Sequence, residues 1–283
     1  MSPHALDQLR EASAPKLARL KDEIARCGSA LVAFSAGVDS TFVLAVAREV
    51  LGDRAVALTA HSPSVPQAER DEARRLAARL SVRHLERESR EQDDPRYLEN
   101  STQRCYYCKS ELYRLCEEAA RGEGLAAILD GFNADDRRDF RPGHRAAAER
   151  EVRSPLAIAG LTKDEVRAWS AAYGLPTWDK PQMACLASRI PYGTAVTPER
   201  LSQVERAGAA IRALGFRDLR VRYHGDIGRV ELSDRELSAG FERRAELVAA
   251  VKGAGFKLAV LDLEPFRSGR MNELAGVALP VVS

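Results

Sequence analysis

The chain has 283 residues, a formal charge of +2 and five cysteines, and it is long enough for two domains with their own cores. Acidic and basic residues are interspersed, which argues against a dedicated nucleic-acid surface, and no run of about 18 apolar residues would cross a membrane. The N-terminal stretch is polar and lacks the features of a signal peptide. We therefore expect a cytoplasmic protein without a disulfide framework.

The first buried strand and the loop after it form the central motif. An apolar run at 31–34 predicts a strand, small residues at 35–39 a tight loop, and 40–47 the start of a helix. This order presents free backbone N–H groups and a helix N-terminus, which together favour an anion. The loop resembles the S-G-G-x-D-S pyrophosphate loop of enzymes that adenylate a substrate and release pyrophosphate. Ala36 replaces the first glycine of that pattern, so we expect ordinary backbone angles there.

Further strands alternate with helices through the first half of the chain. We predict strands at 55–60, 81–85 and 126–130, and helices at 5–26, 66–80 and 106–121. Buried strands that alternate with helices predict an α/β fold, a parallel sheet with helices on both faces. Ligands of such sheets bind beyond the carboxyl ends of the strands, where the loops after strands one and four both lie.

The order of the predicted helices and strands changes near residue 197. Before it, a capping box formed by Thr162 and Glu165 predicts a helix that ends near 174. After it, the order helix, strand pair, helix and strand predicts a smaller α+β domain, with helices at 198–214 and 241–252. We therefore expect a parallel-sheet domain at 1–190 and an α+β domain at 191–283.

Acidic residues follow both strands that border the expected ligand site. Asp39 lies at the start of a helix, where its carboxylate suits a Mg²⁺ ion beside phosphates or simply complements the helix dipole. The loop at 130–136 carries three acids and an amide, and begins with Asp130. Its place after a strand favours substrate contact, and a solvated turn is the alternative.

Three of the five cysteines lie in motifs that suit chemistry. Cys105 and Cys108 form a C-x-x-C, which fits a redox pair, half of a metal site or chance, and Cys185 lies in a polar loop. Three converging thiolates would suit an iron–sulfur cluster with one open iron, or a zinc site that lacks its fourth ligand. One nucleophilic cysteine beside a redox pair is the alternative. We expect Cys27 and Cys116 to be buried structural thiols.

Arginines recur in the second half of the chain. Arg220 and Arg222 alternate onto one face of a predicted strand, and Arg267 follows the last strand. Arginines on a strand face usually contact solvent, although guanidinium groups match the geometry of phosphate. The pattern alone leaves both interpretations open.

Several motifs together resemble the LarE family. They are the loop at 35–40, the segments 62–66 and 104–109, the acidic loop at 130–136, the cysteine-centred run 184–193 and the run 261–269. The family comprises ATP-dependent sulfur transferases that build the nickel-pincer nucleotide cofactor of lactate racemase and related enzymes. The resemblance implies a PP-loop domain of the adenine nucleotide alpha hydrolase type. It also implies a pyridinium dicarboxylate mononucleotide substrate, whose carboxylate is adenylated and then converted to a thiocarboxylate.

The resemblance also assigns roles to individual residues of this chain. The positions that it implies for ATP are Ser35, Gly37, Asp39, Ser40, Asp130 and Arg189, with Asp39 also binding Mg²⁺. The positions that it implies for the substrate phosphate are Ser188, Arg189, Arg220, Arg222 and Arg267. Small-molecule nucleotides are therefore the expected partners, and neither nucleic acid nor a membrane is.

The same resemblance makes Cys185 the residue that donates sulfur. In one version its own sulfur is transferred, dehydroalanine remains and the protein acts once. In the three-cysteine branch, Cys105, Cys108 and Cys185 hold a [4Fe–4S] cluster that carries an extra sulfide, and turnover is catalytic. The C-x-x-C of this chain favours the cluster version. Family members are commonly homohexamers, so we expect a homo-oligomer.

Two other classes of function compete with this interpretation. Another pyrophosphate-loop enzyme, either a tRNA thiolase or an ammonia-using ligase, would share the loop at 35–40. A tRNA enzyme would be expected to carry a basic appended domain, and a ligase would not need the three cysteines. A non-catalytic nucleotide-binding protein with structural zinc would bind ATP without releasing pyrophosphate.

Overall fold

The computed structural model describes residues 2–138, 142–181 and 184–267, and these fold as two compact units. Unit 1 comprises the described residues of 1–62, 67–91 and 105–183. Unit 2 comprises 63–66, 92–104 and the described chain from Ala184 onward. Unit 2 thus combines two short segments of the first half with the described part of the last third of the chain.

Helices make up most of the regular structure, and their bounds fix the labels used below. In chain order the described residues form α1 (Pro3–Ala25), α2 (Val38–Leu51), α3 (Gln67–Arg79), α4 (Pro95–Leu98), α5 (Arg104–Gly122), α6 (Pro142–Glu149), α7 (Pro155–Ala159), α8 (Lys163–Ala172), α9 (Pro198–Ala213), α10 (Asp234–Glu242) and α11 (Arg244–Gly253). The predicted capping box is confirmed, because Thr162 and Glu165 cap α8 reciprocally.

The described part of unit 1 contains a four-stranded parallel sheet. Its strands are β1 (Ala30–Ala33), β2 (Ala55–His61), β3 (Arg83–Glu88) and β4 (Ala127–Leu129), in the order β3-β2-β1-β4. The chain continues from β1 to β2 on one side, whereas β4 pairs with β1 on the other. The carboxyl ends of β1 and β4 therefore border the crevice where ligands of such sheets bind.

Helices cover both faces of this sheet, as the continuous apolar strands predict. Ala30 and Val32 of β1 pack into a core with α1, α2 and α8, whereas Leu31 and Ala33 pack into a second core with α5 and α6. Successive side chains of a strand point to opposite faces, so a strand buried on both must be apolar throughout. The predicted α/β fold class is confirmed.

Unit 2 contains a smaller mixed sheet in its described residues. Strands β5 (Leu219–His224) and β6 (Ile227–Leu232) form an antiparallel hairpin, and β7 (Leu258–Leu261) pairs parallel to β6. The predicted helix at 241–252 is wrong in its extent, because α10 and α11 meet at Arg243 instead. Arg243 has φ −95° and ψ 26°, outside the helical region, and its guanidinium donates to Leu214 O at 2.9 Å.

Other departures concern the ends of elements. Helix α2 begins two residues before the predicted position, so Asp39 lies within its first turn. Helix α5 begins at Arg104 rather than 106, which places Cys105 and Cys108 on adjacent turns of one helix. Strand β3 begins at Arg83 because Ser81 adopts a φ of +52°.

Candidate active site

The loop between β1 and α2 is built from small residues that bond to one another. Ser40 Oγ accepts from the backbone N–H of Ser35 at 3.3 Å and lies 3.1 Å from Ser35 Oγ. Gly37 occupies the N-cap position of α2 and supplies no side-chain cap to the first N–H groups of the helix. Those N–H groups and the helix dipole therefore favour an anion at the carboxyl end of β1.

Ala36 contradicts the expectation of ordinary backbone angles. Its φ is +54°, in the left-handed region that glycine adopts readily and alanine does not. The side chain is fully buried in the core. Alanine therefore keeps the backbone shape that the glycine of the S-G-G-x-D-S pattern provides, at a cost in conformational strain.

Asp39 pairs with a lysine that the sequence analysis did not single out. The ammonium of Lys163, at the first position of α8, forms an ion pair with Asp39 Oδ2. Asn133 Nδ2 donates to Asp39 Oδ1 at 3.2 Å. A carboxylate, an ammonium and an amide thus meet in the first turn of α2. The place of Lys163 at a capped helix start was the only signal for it in the sequence.

The loop after β4 approaches the start of α2 closely. A Cβ added to Gly131 would lie 2.9 Å from Ser40 N and 3.2 Å from Asp39 Cβ, so glycine is required there. Asn133 Oδ1 accepts from the backbone N–H groups of Asp135 at 2.9 Å and Asp136 at 3.3 Å, which fixes the turn. The loops after strands one and four therefore meet, as the sheet order predicts.

The Asp130 carboxylate is buried between α5 and the start of the loop after β4. It is 3% exposed, Tyr113 Oη donates to its Oδ2 at 2.9 Å, and Phe132 N donates to its Oδ1 at 3.2 Å. Burial raises the pKa of the Asp130 carboxyl, and a hydrogen bond with Ser154, the charge of Lys109 and the two hydrogen bonds above oppose that shift in part. The described contacts of Asp130 therefore fix the end of β4.

A second lysine that the sequence analysis missed contacts the loop. Lys180 Nζ donates to Ala36 O at 3.1 Å and to Glu69 Oε2 at 2.7 Å. It lies in the turn-rich segment that follows α8, where no local pattern marks it as a site residue. Lys163 and Lys180 together place two ammonium groups beside the loop at 35–40.

The five cysteines differ in exposure. Cys27 and Cys116 are buried, as predicted, and burial raises the pKa of the Cys116 thiol to about 12. Cys105 is exposed and Cys108 half-buried on α5, in unit 1, whereas Cys185 is half-buried in unit 2. Among the described residues, no group of three or more His, Cys, Asp or Glu side chains is placed to hold a metal ion. The [4Fe–4S] cluster stays a prediction from the sequence.

Cys185 lies directly before a short 3-10 helix, Leu186–Arg189, that carries two of the predicted phosphate residues. Ser188 Oγ donates to Cys185 O at 2.7 Å, and Arg189 Nη2 donates to Ala184 O at 3.2 Å. Arg222 Nη1 donates to Ser188 O at 3.1 Å. The structure therefore brings Ser188, Arg189 and Arg222 together around the backbone of Cys185.

Arg189 is the centre of a buried group of guanidiniums. It is 1% exposed, and its Nε has no hydrogen-bond partner among the described residues. Burial, with the positive charges of Arg220, Arg212 and Arg222, lowers the pKa of Arg189 to about 9. Burial and the charges of Arg222 and Arg212 likewise lower the pKa of Arg220 to about 10. Buried cations that repel one another favour a bound anion.

Carboxylates offset this positive charge only in part. Arg222 Nε donates to Glu231 Oε1 at 2.9 Å, and Arg229 Nη2 donates to the same oxygen at 2.7 Å. Arg212 of α9 was not singled out from the sequence, because nothing local distinguishes it from the other arginines of this helix. Arg267 is exposed and follows Phe266, whose ring lies 4.4 Å from the Arg220 guanidinium. Ser268 and Gly269 of the predicted motif lie outside the described residues.

No helix in the described ranges is long and apolar enough to cross a membrane.

The loop at 35–40 in unit 1 and the arginine cluster of unit 2 suit different ligands. The loop of unit 1 offers backbone N–H groups, two ammonium groups and a carboxylate, which suit a polyphosphate and its cation. The cluster of unit 2 offers guanidiniums beside a cysteine, which suit an anionic substrate and a sulfur nucleophile.

Comparison with known proteins identifies the family. A model of the asparagine synthase family matches residues 26–229, which is most of the chain. An uncharacterized protein of Synechocystis sp. is 42% identical over 261 residues, covering 92% of this chain and 97% of that protein. An uncharacterized protein of Methanocaldococcus jannaschii is 28% identical over 171 residues, covering 60% of this chain and 67% of that protein.

One relative carries a functional name. The pyridinium-3,5-bisthiocarboxylic acid mononucleotide synthase of Lactiplantibacillus plantarum is 37% identical over 243 residues, covering 86% of this chain and 88% of that enzyme. This identity extends through both units, and the family match covers the loop at 35–40. The chain therefore belongs to the PP-loop enzymes of the asparagine synthase family and, among them, to the LarE family of ATP-dependent sulfur transferases.

Proposed function

We propose that this protein converts a carboxylate of a pyridinium dicarboxylate mononucleotide to a thiocarboxylate, in nickel-pincer nucleotide biosynthesis. The carboxylate oxygen attacks the α-phosphorus of ATP and displaces pyrophosphate. A sulfur nucleophile then attacks the acyl carbon and displaces AMP. Adenylation is needed because a carboxylate oxygen is a poor leaving group and AMP is a much better one.

Ser35, Gly37 and Ser40 are the residues that we propose for the ATP phosphates. Their support is the set of uncapped N–H groups at the start of α2. Lys163 and Lys180 add positive charge that stabilises the departing pyrophosphate. Asp130 is included in the proposed ATP site because it lies at the carboxyl end of β4. Its carboxylate oxygens already accept hydrogen bonds from Tyr113 and Phe132, so no direct contact with ATP is proposed for them.

Magnesium fits the carboxylate that the loop offers. Mg²⁺ sites beside nucleotides use one or two carboxylates together with phosphate oxygens, and they do not need a dedicated protein cage. Asp39 supplies such a carboxylate in the first turn of α2. The bound ion would neutralise charge on the phosphates, and Lys163 would then be released from Asp39 to a phosphate oxygen.

The phosphate of the nucleotide substrate is proposed to bind the guanidiniums of unit 2. Arg189, Arg220 and Arg222 are buried, and we add Arg212 to the set because its charge acts on both Arg189 and Arg220. Ser188 and Arg267 complete the proposed residues. A phosphate dianion would relieve the mutual repulsion of these cations, which water does less well in a buried site.

Cys185 is the proposed sulfur donor, and the observation that carries this proposal is its place beside buried Arg189. An ammonia-using ligase has no use for a cysteine in an anion-binding cluster. In the single-use version, the Cys185 thiolate attacks the acyl adenylate and forms a thioester as AMP leaves. Loss of the Cα proton to a base then breaks the Cβ–S bond, so that the thiocarboxylate leaves and dehydroalanine remains. In the catalytic version, Cys105, Cys108 and Cys185 would hold a [4Fe–4S] cluster, which would supply a sulfide.

The test of the function is a reaction with ATP, Mg²⁺ and the dicarboxylate mononucleotide. We expect pyrophosphate and AMP to form only with the nucleotide present, together with a thiocarboxylate. Pyrophosphate release with tRNA or ammonia instead would identify another pyrophosphate-loop enzyme. Nucleotide binding without any pyrophosphate would identify a non-catalytic nucleotide-binding protein.

Iron and acid-labile sulfide analysis distinguishes the two sulfur sources. About four irons per chain in anaerobically prepared protein, lost in Cys105→Ala and Cys108→Ala, would establish the cluster. Protein without iron, whose mass falls by one H₂S during turnover, would establish Cys185 as a sacrificed donor. In that case the C-x-x-C has another role.

A homo-oligomer is proposed as well, on the apolar surface of unit 2. Large apolar side chains are exposed there, among them Leu263 at 82% and Phe241 at 63%. Single exposed apolar residues are ordinary, whereas a group of them favours an interface. Light scattering tests the assembly, and a monomeric mass at working concentration would contradict it.

A further inference from the structure

A buried asparagine of unit 2 contacts the loop that carries Cys185. Asn100 is fully buried, and its Nδ2 lies within hydrogen-bonding distance of three carbonyl oxygens, those of Ile190 at 3.2 Å, Pro191 at 2.8 Å and Thr194 at 2.9 Å, so that one of its two hydrogens is shared. Ile190 is buried and Pro191 and Thr194 are half-buried, so loss of this donor would remove a hydrogen-bond partner from carbonyl groups that water reaches poorly, which is costly. One side chain therefore holds the second half of the 184–196 segment.

Arg104 connects Asn100 to the backbone of the residues that follow Cys185. Its Nη1 donates to Asn100 Oδ1 at 2.6 Å and to Ala187 O at 2.8 Å, and the side chain is buried. Ala187 lies in the 3-10 helix between Cys185 and the proposed phosphate residues Ser188 and Arg189. The Nη1 group of Arg104 thus joins Asn100 to the turn that follows the proposed sulfur donor.

Backbone hydrogen bonds fasten the same segment along its length. Leu186 N donates to Ser64 O at 2.8 Å, Gly193 N to Asn100 O at 3.1 Å, and Val196 N to Leu98 O at 3.0 Å. These bonds come from the two short segments of the first half that belong to unit 2. These bonds explain why 63–66 and 92–104 belong to unit 2: both segments hold the backbone of the 184–196 segment, which carries Cys185.

Asn100 has a backbone conformation that few other residue types would adopt without strain. Its φ is +56°, a left-handed conformation that asparagine tolerates better than most residues. With this backbone conformation the side-chain amide contacts the three carbonyl groups and the backbone oxygen accepts from Gly193 N. The described contacts of Asn100 are with backbone carbonyls, Gly193 N and Arg104, and not with the groups proposed to react.

We propose that Asn100 and Arg104 are positioning residues for sulfur transfer, because they hold the Cys185 loop through its backbone carbonyl groups. The proposal rests on the proposed function, since the reaction that it serves is the transfer from Cys185. The first step of the reaction, adenylation, uses residues of unit 1. Loss of the contacts that Asn100 and Arg104 make should therefore slow sulfur transfer, the second step, and leave the rate of adenylation unchanged.

The test is Asn100→Asp, which keeps the size of the residue, its tolerance of the left-handed region and an acceptor for Arg104. It removes the N–H groups that bind the three carbonyls. We expect nucleotide-dependent pyrophosphate release to stay at the wild-type rate, while thiocarboxylate formed per pyrophosphate falls about 100-fold. Arg104→Met serves as a second variant, because it keeps an unbranched side chain and removes the N–H groups that bind Asn100 Oδ1 and Ala187 O.

Amide hydrogen exchange gives a readout that does not depend on the reaction. In both variants we expect exchange at 184–196 to rise about tenfold, with α9 at 198–213 unchanged. Arg96→Gln, in an exposed ion pair with Asp94 of the same segment, is the control and should change neither measurement. Equal losses of both chemical steps, or faster exchange throughout unit 2, would show a general structural role and overturn the proposal.

Failure of the proposed function would give a different pattern. Wild-type protein that forms no thiocarboxylate would refute the function. The exchange experiment would still decide whether Asn100 and Arg104 hold the loop. Variants that exchange as slowly as the wild type and transfer sulfur equally well would refute the positioning role itself.

Discussion

Asp39 and Lys163 carry opposite charges that a magnesium–nucleotide complex would separate. The carboxylate suits the metal ion, and the ammonium suits a phosphate oxygen. Their ion pair at the start of α2 keeps both groups near the loop at 35–40. The same residues can therefore hold the loop together and receive the nucleotide.

Lys163→Ala should slow pyrophosphate release about 100-fold, because one preorganised cation beside the departing pyrophosphate is lost. Asp39→Ala should abolish release. Lys16→Ala is the matched control, since Lys16 pairs with Glu165 on the same helix, α8, at 2.7 Å. The rate is measured with saturating ATP and substrate. An unchanged rate in Lys163→Ala would remove this lysine from the proposed site.

Ala36 permits a test of strain at a single residue. Ala36→Gly should change the free energy of unfolding little, because relief of about 1 kcal/mol of left-handed strain offsets a lost buried methyl worth about 0.8 kcal/mol. Ala36→Val should destabilise by about 2 kcal/mol or more, since a branched side chain is both strained and too large. Urea unfolding measures both, and equal effects of the two changes would contradict the observed φ of +54°.

Asp130 predicts a pH dependence of stability. Burial raises the pKa of its carboxyl in the folded protein above 3.8, the ordinary value, so the folded state binds the proton more tightly. Its contribution to stability is thus fully present below 3.8 and is lost as pH rises through the folded pKa. Asp130→Asn should be more stable than the wild type near neutral pH, with a difference that shrinks as pH falls toward 3.8. A constant difference in urea unfolding would contradict this.

At the scale of elements, the contact between the loop after β4 and the start of α2 depends on one glycine. Gly131→Ala should destabilise by about 1–3 kcal/mol and raise the KM for ATP, because its Cβ would press on Ser40 N. Gly122→Ala, where an added Cβ meets nothing within 4 Å, is the matched control. Denaturant unfolding and ATP titration measure the two effects. Unchanged ATP binding in Gly131→Ala would show that this contact does not shape the nucleotide site.

Local patterns predicted the elements that surround the site better than they predicted the site itself. Continuous apolar runs placed β1 and β2, and Thr162 with Glu165 marked the start of α8. The two lysines were missed because their role depends on which loop their long side chains reach in three dimensions. The predicted helix began at Phe241, directly after Gly240, whereas α10 runs through this glycine to Glu242 and α11 begins at Arg244. A glycine often marks the end of a helix, but Gly240 is buried inside α10.

At the scale of the whole molecule, the two proposed steps use residues of different units. The groups for adenylation, Asp39 and Lys163 among them, belong to unit 1, and Cys185 with its arginines belongs to unit 2. Each unit has its own sheet and its own set of cations. Substitutions should therefore separate the two steps, and a change that stops sulfur transfer need not stop pyrophosphate release.

We propose that sulfur transfer to the carboxylate that ATP has activated depends on Cys185, either as the donor itself or as a ligand of the cluster that supplies the sulfide. The most direct measurement follows pyrophosphate and thiocarboxylate together in wild-type protein and in Cys185→Ser. We predict that the variant releases pyrophosphate when the nucleotide substrate is present and forms no thiocarboxylate. Thiocarboxylate formed by Cys185→Ser in wild-type amounts would contradict the claim, because the sulfur would then have another source.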